Sequence, residues 1–456
     1  MKIKGTKLNL QEDGDSSGFS SGEQTKARSW KFLPKLFNLD KNEKSIIKLY
    51  FWNRIILTII AMIFIGLVGR ANPTNSLNTL HPTFIKNAPQ EFSSIAPLNL
   101  WGNWDSGWYL RIANEGYKPS INQANQASIV FMPMYPLLVN VVSKVTFLDK
   151  FLVGLILSNI FFVVFLILFY RYFKLHFDEV SAKYASIAII AYPFGYYFSS
   201  FYGESLFLLA IFLTITGALN NRWRLSGLGL FVAILTKLNG WILCLPLAWI
   251  MIRKLITIVK SKPRKVTPVF NQLASYLWVI AGFIGAITIY LSINKLVFGN
   301  YFAFMDIEKA GWNKQLYNPV ILTFNYIKGS AANALFASVG ILALLASIIC
   351  LIKIKPFREF GLFFSVAMIL YFSTGMEGIT RYSIPVLPIY ALIGLLTAGY
   401  YNLKAGKINE INSPTQTAKN KMLNIISNNP EAIFYTMFML QALFMALWVG
   451  GHPFLM

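Results

Sequence analysis

The sequence predicts an all-α polytopic membrane protein with about eleven transmembrane helices and further helices lying at the external membrane surface. Three observations carry that fold class. Of 456 residues, 55% are apolar and only 13% are charged. Apolar runs of about twenty residues, the length that crosses a hydrocarbon core, recur from end to end. The 41 Lys and Arg outnumber the 19 Asp and Glu and gather in short segments between those runs. Cations so placed read as the topology signal of cytoplasmic loops facing anionic lipid, which argues against nucleic acid as a partner.

Residues 1–50 form a basic tail, Gly-Ser-rich in "DGDSSGFSSGEQ" and followed by "KARSWKFLPK". It lacks the apolar core of a signal peptide and is expected to be cytoplasmic and largely disordered. The polytopic domain is expected over 51–456, beginning with the span 51–70. The first external loop, 71–145, follows. Further spans are predicted near 151–172, 182–200, 203–220, 224–236, 238–253, 273–297, 331–352, 360–375, 380–400 and 432–449. Those at 224–236 and 360–375 are short for a crossing.

The segment "FMPMYPLLVNVVSKV" (131–145) decides the topology. If it crossed the bilayer, every later loop would change sides, and the six cations of "RKLITIVKSKPRK" (253–265) would be exported. The positive-inside bias opposes that, so 131–145 reads as a juxtamembrane or partly inserted helix. The N-terminus is then inside, the C-terminus outside, and "RYFKLH", "NNRWR", "KIKPFR" and "NLKAGK" are all cytoplasmic.

On this topology the isolated charges collect on the outer face: Asp105, Glu115, Glu204, Lys237, Asp306, Glu308, Glu377 and Arg381. Residues 99–113 read as a short helix whose Trp101, Trp104, Trp108 and Ile112 form one stripe suited to the headgroup layer. Asp105 then lies at the border between lipid and water. The same "DSG" can equally start a helix, with Asp105 as its cap. The loop 298–330, with "FMDIEKAGWNKQ", reads either as an amphipathic lid over the site or as a connector. Cys244 and Cys350 lie inside predicted spans, and the three histidines are too scattered for a metal cluster.

An acid at that depth suits transfer from a lipid-linked donor. A sugar on a polyprenyl phosphate presents its reactive carbon at the membrane surface, and the acceptor hydroxyl needs a general base beside it. The departing phosphate needs cations, which Lys237 and Arg381 can provide, and no metal or cofactor is required in principle.

Four stretches carry a family resemblance: "WDSGWYLRIANEGY" (104–117) followed by "VFMPMYPLL", "YPFGYYFSSFYGESLFLL" (192–209), "RWRLSGLGLFVAILTKLNGWIL" (222–243) and "TRYSIPVLPIY" (380–390). In order and spacing the chain resembles the GPI mannosyltransferase 2 (phosphatidylinositol-glycan class V) family and its prokaryotic relatives, within the GT-C superfamily of membrane glycosyltransferases. The resemblance implies transfer of a hexose, mannose above all, from a polyprenyl-phosphate-linked donor to a glycolipid or other glycan acceptor on the exoplasmic side. It implies Asp105 as catalytic base, with Lys237 and Arg381 on the donor phosphate. Glu204 matches the acid of a Tyr-Thr-Glu-Ser-type stretch, although Gly203 stands where threonine is commoner. Lys237 stands where relatives often carry arginine, and the lysine loses arginine's bidentate phosphate geometry. Glu115, Trp108 and Tyr109 are expected to bind substrate or support the site. The compact loops and the lack of a GPI-specific signal point to a bacterial plasma membrane; in a eukaryote the corresponding membrane is that of the ER.

The competing reading is a polytopic transporter or lipid flippase, which predicts ionisable residues near mid-membrane. Here the acids stand at span ends and the span centres are almost free of them. A non-catalytic assembly subunit is a third reading.

Overall fold

A computed structural model describes residues 38–68, 92–261, 266–404 and 430–451. The tail over residues 1–37, the loop over 71–91 and the cationic stretches at 262–265 and 405–407 lie outside the described residues. No strand occurs among those described.

Each of the eleven predicted segments carries a helix. These are α1 (Lys41–Val68), α4 (Lys150–His176), α5 (Glu179–Ala191), α6 (Glu204–Leu219), α7 (Trp223–Thr236) and α8 (Cys244–Ser261). They continue with α9 (Val266–Phe298), α12 (Ala331–Lys353), α13 (Arg358–Thr374), α15 (Leu387–Lys404) and α16 (Pro430–Val449). Seven stretches are long and apolar enough to cross a membrane, and three shorter apolar helices, Glu204–Leu219, Trp223–Thr236 and Leu387–Gly399, stand among them. Between these lie α2 (Ser106–Glu115), α3 (Met134–Thr146), α10 (Ala303–Trp312), α11 (Pro319–Gly329) and α14 (Ile379–Ser383). The 131–145 segment is α3, a helix of 13 residues.

Charge pairs tie together the helix ends predicted to be cytoplasmic. Arg171 binds the buried Glu43, Lys174 meets Asp40 at 3.2 Å and Glu179 at 3.1 Å, and Arg253 meets the buried Glu359 at 2.7 Å. Starts of α1, α5 and α13 are thereby joined to the end of α4 and the middle of α8. On α1, one polar face is buried. Asn53 donates to Gln441 at 2.9 Å, Arg54 to the Gly195 carbonyl at 3.0 Å, and Thr58 accepts from Trp101 Nε1 at 3.3 Å. These bonds tether the two segments that carry Asp105 and Glu204.

The helices α7 and α9 approach through glycine. A Cβ built on Gly227 would lie 2.1 Å from the Trp278 carbonyl oxygen, and one on Gly282 would lie 2.2 Å from that of Gly227. Such contacts let two backbones pack where no hydrophobic force holds helices together in lipid. Gly227→Val is therefore expected to destabilise the fold by at least about 1–3 kcal/mol, read as a lower thermal midpoint. Gly66, with nothing within 4 Å of its Cβ position, is the control: Gly66→Ala leaves the midpoint unchanged.

Four expectations are corrected. The predicted helix over 99–113 is a 3-10 turn, Ala96–Trp101, then a break, then α2. Asn103 causes the break: its side-chain amide Nδ2 donates to the Trp448 carbonyl and its side-chain Oδ1 accepts from the Trp104 N–H, while Trp104 takes φ +46°. The tryptophan stripe does not face headgroups, because Trp101, Trp104, Trp108 and Ile112 are all buried in protein. The span 182–200 ends as helix at Ala191, just before Pro193 and a turn of buried aromatics, and the span 380–400 divides at Pro385 into α14 and α15.

Candidate active site

Four helix ends deliver the charged groups. Glu204 is the first residue of α6, where the helix dipole favours an acid, and Lys237 follows the last residue of α7, where it favours a cation. The two meet at 2.7 Å. Gly203 permits the approach, since a Cβ there would already lie 3.0 Å from the Thr236 methyl. Asp105 occupies the cap position of α2, yet its side chain makes no capping bond. Its carboxylate binds the guanidinium of Arg381, from α14, and Arg381 Nε lies 3.7 Å from Glu204 Oε1. Asp105, Arg381, Glu204 and Lys237 thus form one chain of alternating charge. Side-chain exposure is 16% for Asp105 and Arg381, 13% for Lys237 and 1% for Glu204.

Aromatic rings hold this chain in place. The Tyr202 hydroxyl accepts the Asp105 N–H at 3.2 Å and donates to the Asn103 carbonyl at 2.7 Å, so it fixes both sides of Trp104. The Arg381 guanidinium lies over the rings of Tyr202 and Tyr382, and Tyr382 stacks on Tyr371 with centroids 4.0 Å apart. Burial disfavours the charged guanidinium, but Asp105, with Tyr382 and Glu204 behind it, raises its pKa well above the ordinary arginine value. Tyr109 is driven the other way from ionisation: burial first, then the carboxylates of Glu204 and Asp105, raise its pKa far above 10. It therefore stays a neutral phenol.

These groups line a cavity of about 680 Å³. Its opposite wall is α10, which contributes Asp306, Glu308, Lys309 and Trp312. That helix is docked: the Gln126 amide donates to the Gly311 carbonyl at 3.2 Å, and Trp312 packs edge-on to Trp108 and Phe131. The segment read as lid or connector is a wall of the site. Glu308 is half-buried there; burial pushes its pKa up and Lys314 pulls it back.

The structure therefore brings together Asp105, Glu204, Lys237, Arg381 and Tyr109. Trp108 is 1% exposed and supports the cavity from behind, stacked on Phe131. Glu115 is not brought in: it stands at the far end of α2, paired with Lys118 at 2.9 Å and Arg111 at 3.8 Å. The sequence reading did not single out Tyr202, Asn103, Tyr371 or Lys314. Two of them stand in motifs of interest: Tyr202, two residues before Glu204, and Lys314, in "FMDIEKAGWNKQ". Lys237 and Arg381, expected as free phosphate ligands, are each already paired with a carboxylate. Among the described residues, no cluster of three or more His, Cys, Asp and Glu is placed to hold a metal ion.

A family model described as mannosyltransferase (PIG-V) matches residues 43–331, which include Asp105, Glu204 and Lys237 and stop short of Arg381. No curated protein matches the chain. Among solved structures, ArnT from Cupriavidus metallidurans bound to undecaprenyl phosphate is similar at 12% identity and a TM-score of 0.46, over 88% of this chain and 77% of that one. The archaeal oligosaccharyltransferase AglB from Archaeoglobus fulgidus, in complex with an inhibitory peptide and a dolichol-phosphate, matches at 13% identity and a TM-score of 0.39, over 87% of this chain. The chain spans 56% of the AglB length.

Proposed function

The chain belongs to the mannosyltransferase (PIG-V) family, and from that premise we propose that it transfers mannose from a polyprenyl-phosphate donor to a glycan acceptor at the exoplasmic membrane surface. The observation that carries this reading is the alternating chain Asp105–Arg381–Glu204–Lys237 at one wall of the 680 Å³ cavity. Taken together those four groups are neutral, so a phosphate entering the cavity has to compete with Asp105 for Arg381. In this reading the donor phosphate takes the guanidinium in a charge-assisted contact and releases the carboxylate. Asp105 then accepts the proton of the acceptor hydroxyl. The acceptor oxygen bonds to C1 of the sugar as the C1–O bond to phosphate breaks, and the electron pair leaves on the polyprenyl phosphate. Arg381 and Lys237 stabilise the charge that develops there.

The test is purified protein in lipid nanodiscs with radiolabelled polyprenyl-phosphate-mannose and a glycolipid extract. Expected is transfer of label and release of polyprenyl phosphate; a donor that is never consumed overturns the reading. One displacement with no covalent enzyme intermediate inverts C1. The product linkage is therefore expected to have the anomeric configuration opposite to the donor's, measured by the one-bond C–H coupling in NMR; retention sinks the single-step route.

The pH behaviour of Glu308 supplies a check on the site's other wall. Its folded pKa is raised above 4.5, so the folded state binds protons more readily than the unfolded one. Charged Glu308 thus costs stability at neutral pH, and that cost disappears as pH falls through the raised value towards 4.5. Glu308→Gln is expected to melt higher than wild type at neutral pH, with the gap closing on acidification. A gap that is constant with pH contradicts this.

A further inference from the structure

Beside the cavity lies a second one of about 530 Å³, formed where the 313–318 segment and α11 meet the end of α13. The two share Trp312, Lys314, Thr374 and Glu377 as a common wall. Their lining chemistry differs. The first has charged groups on both sides, whereas the second has amides and aromatic rings, with Lys314 and Glu377 alone charged. Lys314 leans on the Gly375 carbonyl at 3.5 Å, so nothing here gathers positive charge for a phosphate.

Resting on the transfer reading above, we propose that this second cavity binds a saccharide, the sugar portion of the acceptor. A sugar ring has apolar C–H faces and a rim of hydroxyls, each both donor and acceptor. The faces fit aromatic rings, and Trp312, Tyr317 and Tyr326 supply three. The rim needs side chains with open hydrogen-bonding capacity. Asn325, Tyr326 and Glu377 line the cavity, and their side chains form no hydrogen bond with the described residues. An amide offers both donors and an acceptor, and a lone carboxylate accepts from hydroxyls without demanding a cation. A volume of about 530 Å³ is in the range that encloses small-molecule ligands, so more than one ring can enter.

The frame of the cavity is set before any ligand arrives. The Tyr317 N–H donates to the Ser373 carbonyl at 2.7 Å, and the Asn318 side chain caps α11 by accepting from Val320 and Ile321 at 3.0 and 3.2 Å. Preformed walls spare the ligand the cost of ordering them. The shared wall then places the end of a bound saccharide next to the cavity that holds Asp105. A free oligosaccharide and a glycolipid headgroup present the same chemistry to these side chains.

The experiment uses the full chain in nanodiscs and saturation-transfer NMR with methyl mannoside, methyl glucoside and methyl N-acetylglucosaminide, each repeated with an octyl in place of the methyl group. At least one glycoside is expected to bind wild type and Asp105→Asn alike. Asn325→Ala and Tyr326→Phe are each expected to weaken it about tenfold, with unchanged thermal midpoints and unchanged KM for polyprenyl-phosphate-mannose. Tighter binding of the octyl form identifies a glycolipid source, and equal binding identifies a free glycan; both support the proposal. No glycoside binding, binding indifferent to both variants, or binding only of peptides overturns it. If glycoside binding responds to the variants while wild type never consumes the donor, the saccharide site stands and the transfer reading fails.

Discussion

Asp105→Asn is expected to lower kcat for sugar transfer by about 10²–10⁴-fold, the usual contribution of a positioned general base. Asparagine keeps the shape of the side chain and loses only the proton-accepting charge. The variant should still fold, because Arg381 retains Glu204 at 3.7 Å as a counter-ion, and the Asp105 backbone N–H keeps its bond to Tyr202. The measurement is label transfer from polyprenyl-phosphate-mannose under saturating donor and acceptor, paired with a thermal melt. Undiminished kcat in a well-folded variant removes Asp105 from the chemistry and leaves it as the partner that orients Arg381.

Arg381→Ala should fail in two ways at once. The arginine stands between Asp105 and Glu204, and without it the two carboxylates share only Lys237, which contacts Glu204 alone at 2.7 Å. Removing one member of a buried charge pair typically costs about 3–5 kcal/mol, so the melting temperature should drop sharply. Transfer should fall by about 10²–10³-fold, as for loss of a single group that stabilises developing charge. Arg381→Lys separates the two effects. It restores positive charge and most of the stability, but an ammonium cannot span both carboxylates and a phosphate as a planar fork does, so donor KM should stay high. If Arg381→Lys transfers sugar with wild-type kcat and KM, the guanidinium is structural and the phosphate is held elsewhere, Lys237, Lys309 and Lys314 being the other cations on the wall.

The sequence by itself determined the helices. Apolar length and the positions of cations need only local information, and each of the eleven predicted segments carries a helix, with 131–145 recognised as a separate short helix because exporting six cations was unfavourable. It also named Asp105, Glu204, Lys237 and Arg381, since charges at the ends of apolar helices are few and easily seen. Helical spacing failed between 99 and 113, where Asn103 reaches across the chain to Trp448, a partner that no local pattern announces. The same limit applies to Glu115, expected to bind substrate or support the site, which α2 carries away from the cavity.

Only the tertiary structure decided what the four charges do to one another. Periodicity places a side chain on a helix face; it does not say which distant helix end lies opposite. Asp105 and Arg381 are 276 positions apart, and their pairing depends on how α2, α6, α7 and α14 converge. That convergence pairs two expected phosphate ligands with two carboxylates, because a buried charge is costly unless it is paired. It also makes α10 a wall and opens the amide-rich cavity behind Trp312.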